Sequence, residues 1–288
     1  MKIAVITDST AYLDQAYIDK YNIRTIALNV IFDDEVYKEL SEISTEDFYK
    51  RMRNEKQLPT TSQPAMGQYV ELLESLKDEG YTDVIAVHLS SGISGTYQTA
   101  VTLNDMVEGI NVHAFDSEIS CSVQGFYALK AAQLIEQGMT VIDNILEQLE
   151  NMKQNTNAYF IVDDLNNLKK GGRLNSAQAL VGTMLQVKPL LHFVDTKIVP
   201  YDKVRTKKRA MKRIEEQLAK EVEGYKNLSI VIIEGNDKET ALSWKAQVEE
   251  QFPDAQIIMS YFGPVIGTHL GEGSLGLGFT TTELDLSI

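Results

Sequence analysis

Three short segments concentrate hydroxyl groups: TDST at 7–10, TTSQP at 60–64 and SSGISGT at 90–96. Hydroxyls and the backbone amides of small residues are donors without fixed charge, and such a set suits a small anionic head such as a carboxylate. The first and third segments directly follow apolar runs that read as strands. In open α/β sheets, ligands gather outside the carboxyl ends of strands. The third segment also leads into a helix starting near Thr96, whose N-terminus favours an anion. The same residue types have a plainer use, because Ser62 and Ser94 are good helix caps. Residue type alone leaves both uses open.

Other chemistries fit less well. Gly92-Ile93-Ser94-Gly95-Thr96 approaches the G-x-S-x-G elbow of serine hydrolases, but Thr96 stands where the last glycine belongs. A stand-alone acyl hydrolase using Ser94 remains as an alternative class. Gly271-Glu272-Gly273-Ser274-Leu275-Gly276 matches G-x-G-x-x-G in letters, yet the twelve residues after Gly276 read as a strand. A dinucleotide signature needs a helix there. No phosphate-loop motif occurs. The single cysteine, Cys121, excludes an internal disulfide and a multi-cysteine metal site, and the four histidines lack metal-ligand spacing. No metal or cofactor is expected. His88, His113 and His192 lie in strand-like runs and read as structural. His269 lies in GPVIGTHLG at 263–271, which reads as a glycine-rich loop with little packing of its own. There it could donate to an anion and change charge near neutral pH; otherwise it is a solvated loop histidine.

Positive charge is concentrated in 203–213, where Lys203, Arg205, Lys207, Lys208, Arg209, Lys212 and Arg213 fall within eleven residues of a chain with net charge −14. The segment opens a helix with an apolar stripe of Met211, Ile214, Leu218 and Val222. Cations at a helix N-terminus oppose the macrodipole by ~0.3–1 kcal/mol each. An acidic partner or an anionic membrane surface would offset that cost. A solvated face with Lys212 paired to Glu215 or Glu216 is the alternative. Lys169, Lys170 and Arg173 extend the patch.

The elements that must position these residues alternate through the first half. Strand-like runs at 2–7, 23–32, 84–89 and 110–115 are separated by helical periodicity from Ser44, over 67–79 and over 122–137. That pattern predicts a three-layer α/β/α domain with a mostly parallel sheet. The second half has strand-like runs at 158–162, 189–194, 197–204, 228–234, 256–262 and 274–280, with helices near 176–187, 205–223 and 237–251. Asp195-Thr196 reads as a hairpin turn, which predicts a two-layer α/β domain with a mixed sheet and helices on one face. The segment 176–191, with Met184, Leu185 and Val187, is apolar on more than one helical face and reads as a buried helix or the cover of an apolar tunnel. The polar stretch 150–157 marks the boundary, giving domains at 1–155 and 156–288.

Composition sets outer limits. The chain has 288 residues, 43% hydrophobic and 24% charged, an ordinary globular balance that permits one large or two smaller domains. Its acidity argues against a nucleic-acid partner. No apolar run reaches the ~20 residues that span a bilayer. The apolar stretch at 3–6 is too short for a signal peptide. A lone cysteine suits a reducing compartment, so the expected location is cytoplasmic.

Taken together, TDST, TTSQP, LSSGISGTYQ at 89–98 and FDS at 115–117 in the first half resemble the DegV family. In the second half DDLNNLKKGGR at 163–173, KVRTKKRA at 203–210 and GPVIGTHLGEGSLGLGF at 263–279 add to the likeness, which covers essentially the whole chain. Within that family the chain is most similar to the fatty-acid-binding subunit of the bacterial fatty acid kinase system. The resemblance implies a long-chain fatty acid with its tail in a buried tunnel and its carboxylate between two domains. It also implies a separate ATP-dependent kinase subunit that phosphorylates the carboxylate, with the acyl phosphate passing into phospholipid synthesis, and transient contact with an anionic membrane. On that reading Thr61, Ser62 and Ser94 donate hydroxyls, Gly95 offers its amide, and His269 approaches from the second domain. Lys203, Arg205, Lys207, Lys208, Arg209 and Arg173 form the partner or membrane surface. No residue is assigned catalysis. A lipid-sensing regulatory module is a further alternative.

Overall fold

The computed structural model describes residues 2–104, 106–174 and 187–288. The first part of the chain runs β1 (Ile3–Asp8), α1 (Gln15–Tyr21), β2 (Arg24–Ile26), β3 (Asn29–Phe32), β4 (Glu35–Lys38), α2 (Thr45–Asn54), β5 (Thr60–Ser62) and α3 (Met66–Asp78). It continues through β6 (Asp83–His88), α4 (Thr96–Leu103), β7 (Asn111–Asp116), α5 (Cys121–Glu136) and α6 (Ile142–Lys153). Then follow β8 (Thr156–Ile161), α7 (Asn166–Lys170), β9 (Lys188–Val194), β10 (Lys197–Val204), α8 (Lys207–Glu221), β11 (Ser229–Glu234), α9 (Lys238–Gln251), β12 (Gln256–Tyr261), α10 (Pro264–Leu270) and β13 (Leu275–Thr280).

A four-stranded parallel sheet has the order β2-β1-β6-β7. Its strands read as continuous apolar runs because both faces are covered. Ala4 and Ile6 of β1 face a cluster with Tyr69, Leu73 and Leu103, whereas Ile3 and Val5 face the cluster that includes α5. This is the three-layer arrangement the alternation predicts.

The second sheet has six strands in the order β10-β9-β8-β13-β11-β12, antiparallel except for β11 with β12. Alternate residues face opposite ways. Ile230 and Ile232 pack toward Trp244, Ile214 and Leu218 of α8 and α9, and Val231 and Ile233 toward the core shared with the first half. Helix α5 lies between β1 on one side and β8 and β13 on the other. Gly278 permits this, since a Cβ there would sit 2.0 Å from Cγ2 of Val123.

Four differences from the sequence reading have physical causes. The run 23–32 is not one strand: Leu28 leaves the first sheet, donating its N–H to Oγ of Ser9 at 3.1 Å, and β3 joins an unforeseen three-stranded sheet β4-β3-β5. The polar stretch 150–157 carries regular structure, because α6 continues to Lys153 with Leu149 and Met152 buried, and β8 begins at Thr156. The segment 263–271 is mostly helix, as detailed below. The six-stranded sheet is covered on both faces, its second cover coming from the first half. The helix expected at 176–187 lies, apart from Val187, outside the described residues, Met184 and Leu185 with it.

Residues 195 and 196 both have positive φ, 47° and 69°, as a two-residue turn matched to strand twist requires. Oγ of Ser90 donates to the carbonyl of Thr196 at 2.6 Å, and a Cβ on Gly92 would sit 2.2 Å from that oxygen. The hairpin tip therefore docks on the third hydroxyl segment and braces it.

Candidate functional site

A cavity of about 330 Å³ opens between the six-stranded sheet and the side facing it, which is made of β5, residues 89–95 and 120–121, and α10. Its walls are mostly apolar, with Phe160, Phe193, Ile198, Ile233, Phe262 and Ile266 among them. Into it also face Thr61, Ser62, Gln63, Ser94, Gly95, Arg173 and His269. The five residues singled out as ligand donors are thus brought to one place.

Each is held by its element. Thr61 and Ser62 lie on the short edge strand β5, opposite Val30 and Asn29 of β3. Asn29 Nδ2 donates to Oγ of Ser62 at 3.1 Å. Ser94 stands before the first turn of α4, where its Oγ pairs with Oγ1 of Thr96 at 2.9 Å and accepts the Thr96 N–H at 3.3 Å. Gly95 is the N-cap residue of α4. A Cβ there would lie 2.2 Å from Oε1 of Gln63, so only glycine lets Gln63 cross the helix start and donate to Oγ1 of Thr99 at 2.9 Å.

His269 corrects the sequence reading. It lies not in an open loop but near the end of α10, and is 8% exposed. The helix starts with Pro264 at its first position, its Val265 N–H donates to Oε1 of Glu39 at 2.7 Å, and it ends at Gly271 with φ 79°. Proline inside the start and glycine past the end were a readable helix signal at 263–271. Nε2 of His269 is 2.8 Å from Oγ1 of Thr61, a contact that ties the two halves together. Nδ1 is buried without a partner among the described residues and faces Gly171, where a Cβ would sit 2.3 Å from it. Burial, aided by the nearby charge of Arg173, pushes the imidazole pKa down to about 3. The ring is therefore neutral at pH 7 and does not switch there, contrary to the expectation from an exposed histidine.

Arg173 is the second correction. Placed by sequence on a partner surface, it instead lines the cavity, half-buried, donating from Nε to the carbonyl of Ile93 at 3.0 Å and from Nη1 to that of Gly171 at 2.5 Å. The site therefore has the fixed positive charge that the hydroxyl segments lack. Lys207 is likewise not a free surface cation: its Nζ is 3.0 Å from Oδ2 of Asp237 and 2.7 Å from the carbonyl of Gly273. Lys203, Arg205, Lys208 and Arg209 are exposed.

The TDST segment is not part of the cavity. Asp8 is fully buried and gathers the hydroxyl of Thr10, the N–H of Leu89, Nε2 of Gln124 and Nδ1 of His88. Burial pushes its carboxyl up, but these partners outweigh it and hold the pKa below the ordinary carboxylate value. Nε2 of His88 meets the hydroxyl of Tyr69 at 2.6 Å, so this chain of polar groups ends in the core and never reaches solvent. Ser120 and Cys121 also line the cavity, a place the sequence did not assign them; burial pushes the Cys121 thiol up to about 12, which leaves it an unreactive wall. Ser94 bonds Thr96 while His269 bonds Thr61, so the serine–histidine contact of a hydrolase is not formed.

The family model of DegV matches residues 2–282. A DegV domain-containing protein of Listeria monocytogenes is 50% identical over 276 residues, 96% of this chain and 97% of its own. The crystal structure of DegV, a fatty acid binding protein from Bacillus subtilis, superposes with a TM-score of 0.92 at 46% identity, covering 97% of this chain and 99% of that one. That of a fatty acid binding DegV family protein from Streptococcus agalactiae gives 0.90 at 33% identity, covering 98% and 100%. With the likeness running from the first strand to the last, the chain belongs to the DegV family.

Proposed function

We propose that this protein is a fatty-acid carrier: it holds a long-chain fatty acid in the apolar cavity against its six-stranded sheet and presents the carboxylate to a separate ATP-dependent kinase. The observation that carries this reading is the pairing of an apolar cavity of about 330 Å³ with one group of polar donors. Fatty acid binding by the similar proteins of B. subtilis and S. agalactiae supports it. Thr61, Ser62, Ser94 and the Gly95 amide serve as donors to the carboxylate, His269 orients it, and Arg173 balances its charge. About fifteen buried methylenes at ~0.8 kcal/mol each give roughly 12 kcal/mol as an upper limit, so the tail carries the affinity and the polar group sets direction.

A carrier of this kind supplies no phosphate-binding loop. The kinase brings ATP, the carboxylate oxygen attacks the γ-phosphorus as its bond to the bridging oxygen breaks and ADP leaves, and the acyl phosphate then enters phospholipid synthesis. This is the role of the fatty-acid-binding subunit of a two-component fatty acid kinase, working in the cytoplasm with transient contact at an anionic membrane. The exposed cations Lys203, Arg205, Lys208 and Arg209 are the docking surface. The test loads delipidated protein with a long-chain fatty acid, adds the kinase subunit of a fatty acid kinase and ATP, and traps product with hydroxylamine. Acyl hydroxamate is expected only when both proteins are present. Hydroxamate or ester turnover without the kinase would favour the hydrolase, and none with it would overturn the carrier role.

A further inference from the structure

The TDST segment at 7–10 forms no wall of the cavity, yet its side chains hold several of the segments that do. Asp8 accepts the N–H of Leu89 at 3.1 Å, at the head of the stretch that carries Ser94 and Gly95. The next residue, Ser9, accepts the N–H of Leu28 at 3.1 Å and donates from Oγ to Oε2 of Glu39 at 2.5 Å. Leu28 and Leu89 are both cavity walls. At the end of the same turn, the hydroxyl of Tyr12 donates to Oε1 of Glu39 at 2.7 Å.

Glu39 in turn reaches α10. Pro264, the first residue of that helix, has no N–H, so the free donors of its first turn are the N–H groups of Val265 and Ile266. Val265 donates to Oε1 of Glu39 at 2.7 Å and Ile266 to the Tyr12 hydroxyl at 3.3 Å, whereas Gly267 already bonds within the helix, to Gly263. Both free donors therefore end on one node, and His269 stands one turn further along. The node is costly. Glu39 is 1% exposed and its donors are hydroxyls and an amide. Burying a carboxylate is expensive even when hydrogen bonds satisfy it, and an apolar residue of like volume avoids the cost. Tyr12, with φ 42°, and Leu40, with φ 65°, also lie in the left-handed region that bulky side chains avoid. Such strain gathers where a geometry is held for function.

We propose that Ser9, Tyr12 and Glu39 are positioning residues of the carboxylate site: they pin the start of α10 and so set the imidazole of His269 against Thr61, while Asp8, in the same turn, holds the stretch that leads to Ser94. One buried turn thereby keeps two donor groups in register. The proposal rests on the fatty-acid reading, because what the turn positions is the bound carboxylate.

The experiment refills the delipidated full chain with hexadecanoate labelled with carbon-13 at its carboxyl carbon. S9A and Y12F each delete one hydroxyl of the node and alter no wall of the apolar cavity. Y12F keeps the packed ring and serves if S9A, which leaves the Leu28 N–H unpaired, does not fold. I230V, on the face of the six-stranded sheet turned away from the cavity, is the control for a general loss of stability. The carboxyl resonance of S9A and Y12F is expected to move in the direction that H269A moves it, with occupancy within about twofold of wild type. Kinase-coupled kcat is expected to fall about fivefold or more at unchanged KM for the loaded protein, because transfer depends on placement. I230V should change neither. Wild-type resonance and turnover in the node variants would overturn the positioning role, as would equal losses in I230V. Uptake of label by wild type reads the carrier function separately: with uptake, those results strike the positioning alone, and without it both readings fall.

Discussion

Among the described residues His269 makes one hydrogen bond, to Thr61, and a bond from this pair to the fatty-acid carboxylate would be worth about 1.5–3 kcal/mol, far less than the buried tail. His269→Ala is therefore expected to keep its fatty acid while acyl hydroxamate formation with the kinase falls at least tenfold, because in-line transfer depends on positioning. Lipid content and coupled turnover on one preparation check this; an empty variant would make His269 a binding residue. Glu39 acts at one remove, fully buried and accepting from Ser9, Tyr12 and the Val265 N–H at the start of α10. Burial pushes its carboxyl from 4.5 up to about 7. Between those values the folded chain keeps a proton that the unfolded chain has lost, so stability falls as pH rises through the window. Glu39→Gln is expected to flatten that slope, read as melting temperature from pH 4.5 to 7.5; an unchanged slope would assign it to another group. Thr61, Ser62 and Ser94, which line the cavity, were legible as candidates because hydroxyls cluster there in short runs. Arg173 and Glu39 were not, since their roles depend on contacts with Ile93 and Val265 that are 80 and 226 positions away.

Strands and helices were legible wherever a single period held over several residues. The all-buried strands β1 and β6, the N-cap at Ser44 and the two-residue turn at Asp195-Thr196 stand where pattern places them. Pattern failed where the chain changes sheet without glycine or proline, at Leu28, and where glycines concealed a seven-residue helix, α10. What positions α10 is largely invisible in sequence: Gly171 has φ −73°, so its lack of a side chain serves the close approach of His269 rather than the backbone. Gly171→Ala should force the imidazole off Thr61 and destabilise the fold by about 1–3 kcal/mol, the usual cost of overpacking. Thermal unfolding and fatty-acid retention both report it, and wild-type values in both would show that α7 and α10 are free to separate there.

At the scale of the molecule, the six-stranded sheet and the segments facing it enclose an apolar space, and exposed cations cluster around the start of α8 on an acidic protein. Reversing Arg205 and Lys208 to Glu should slow acyl phosphate formation severalfold with lipid still bound, and added salt should slow wild type, because exposed charges are screened over ~8–10 Å. Wild-type rates in the double reversal would make that face a solubility feature. No helix among the described residues is long and apolar enough to cross a membrane. A ligand present at a hundred times its dissociation constant adds about 2.7 kcal/mol, so delipidation should lower the melting temperature by several degrees and refilling should restore it. The central claim is that the cavity holds a fatty acid by its tail and fixes its carboxylate at the hydroxyl group of residues. Native mass spectrometry of protein taken directly from cells tests it most directly, with Thr61→Val/Ser94→Ala alongside. One long-chain fatty acid per wild-type chain and clearly lower occupancy in the folded double variant are predicted; a wild-type chain without fatty acid, or equal occupancy in both, would contradict it.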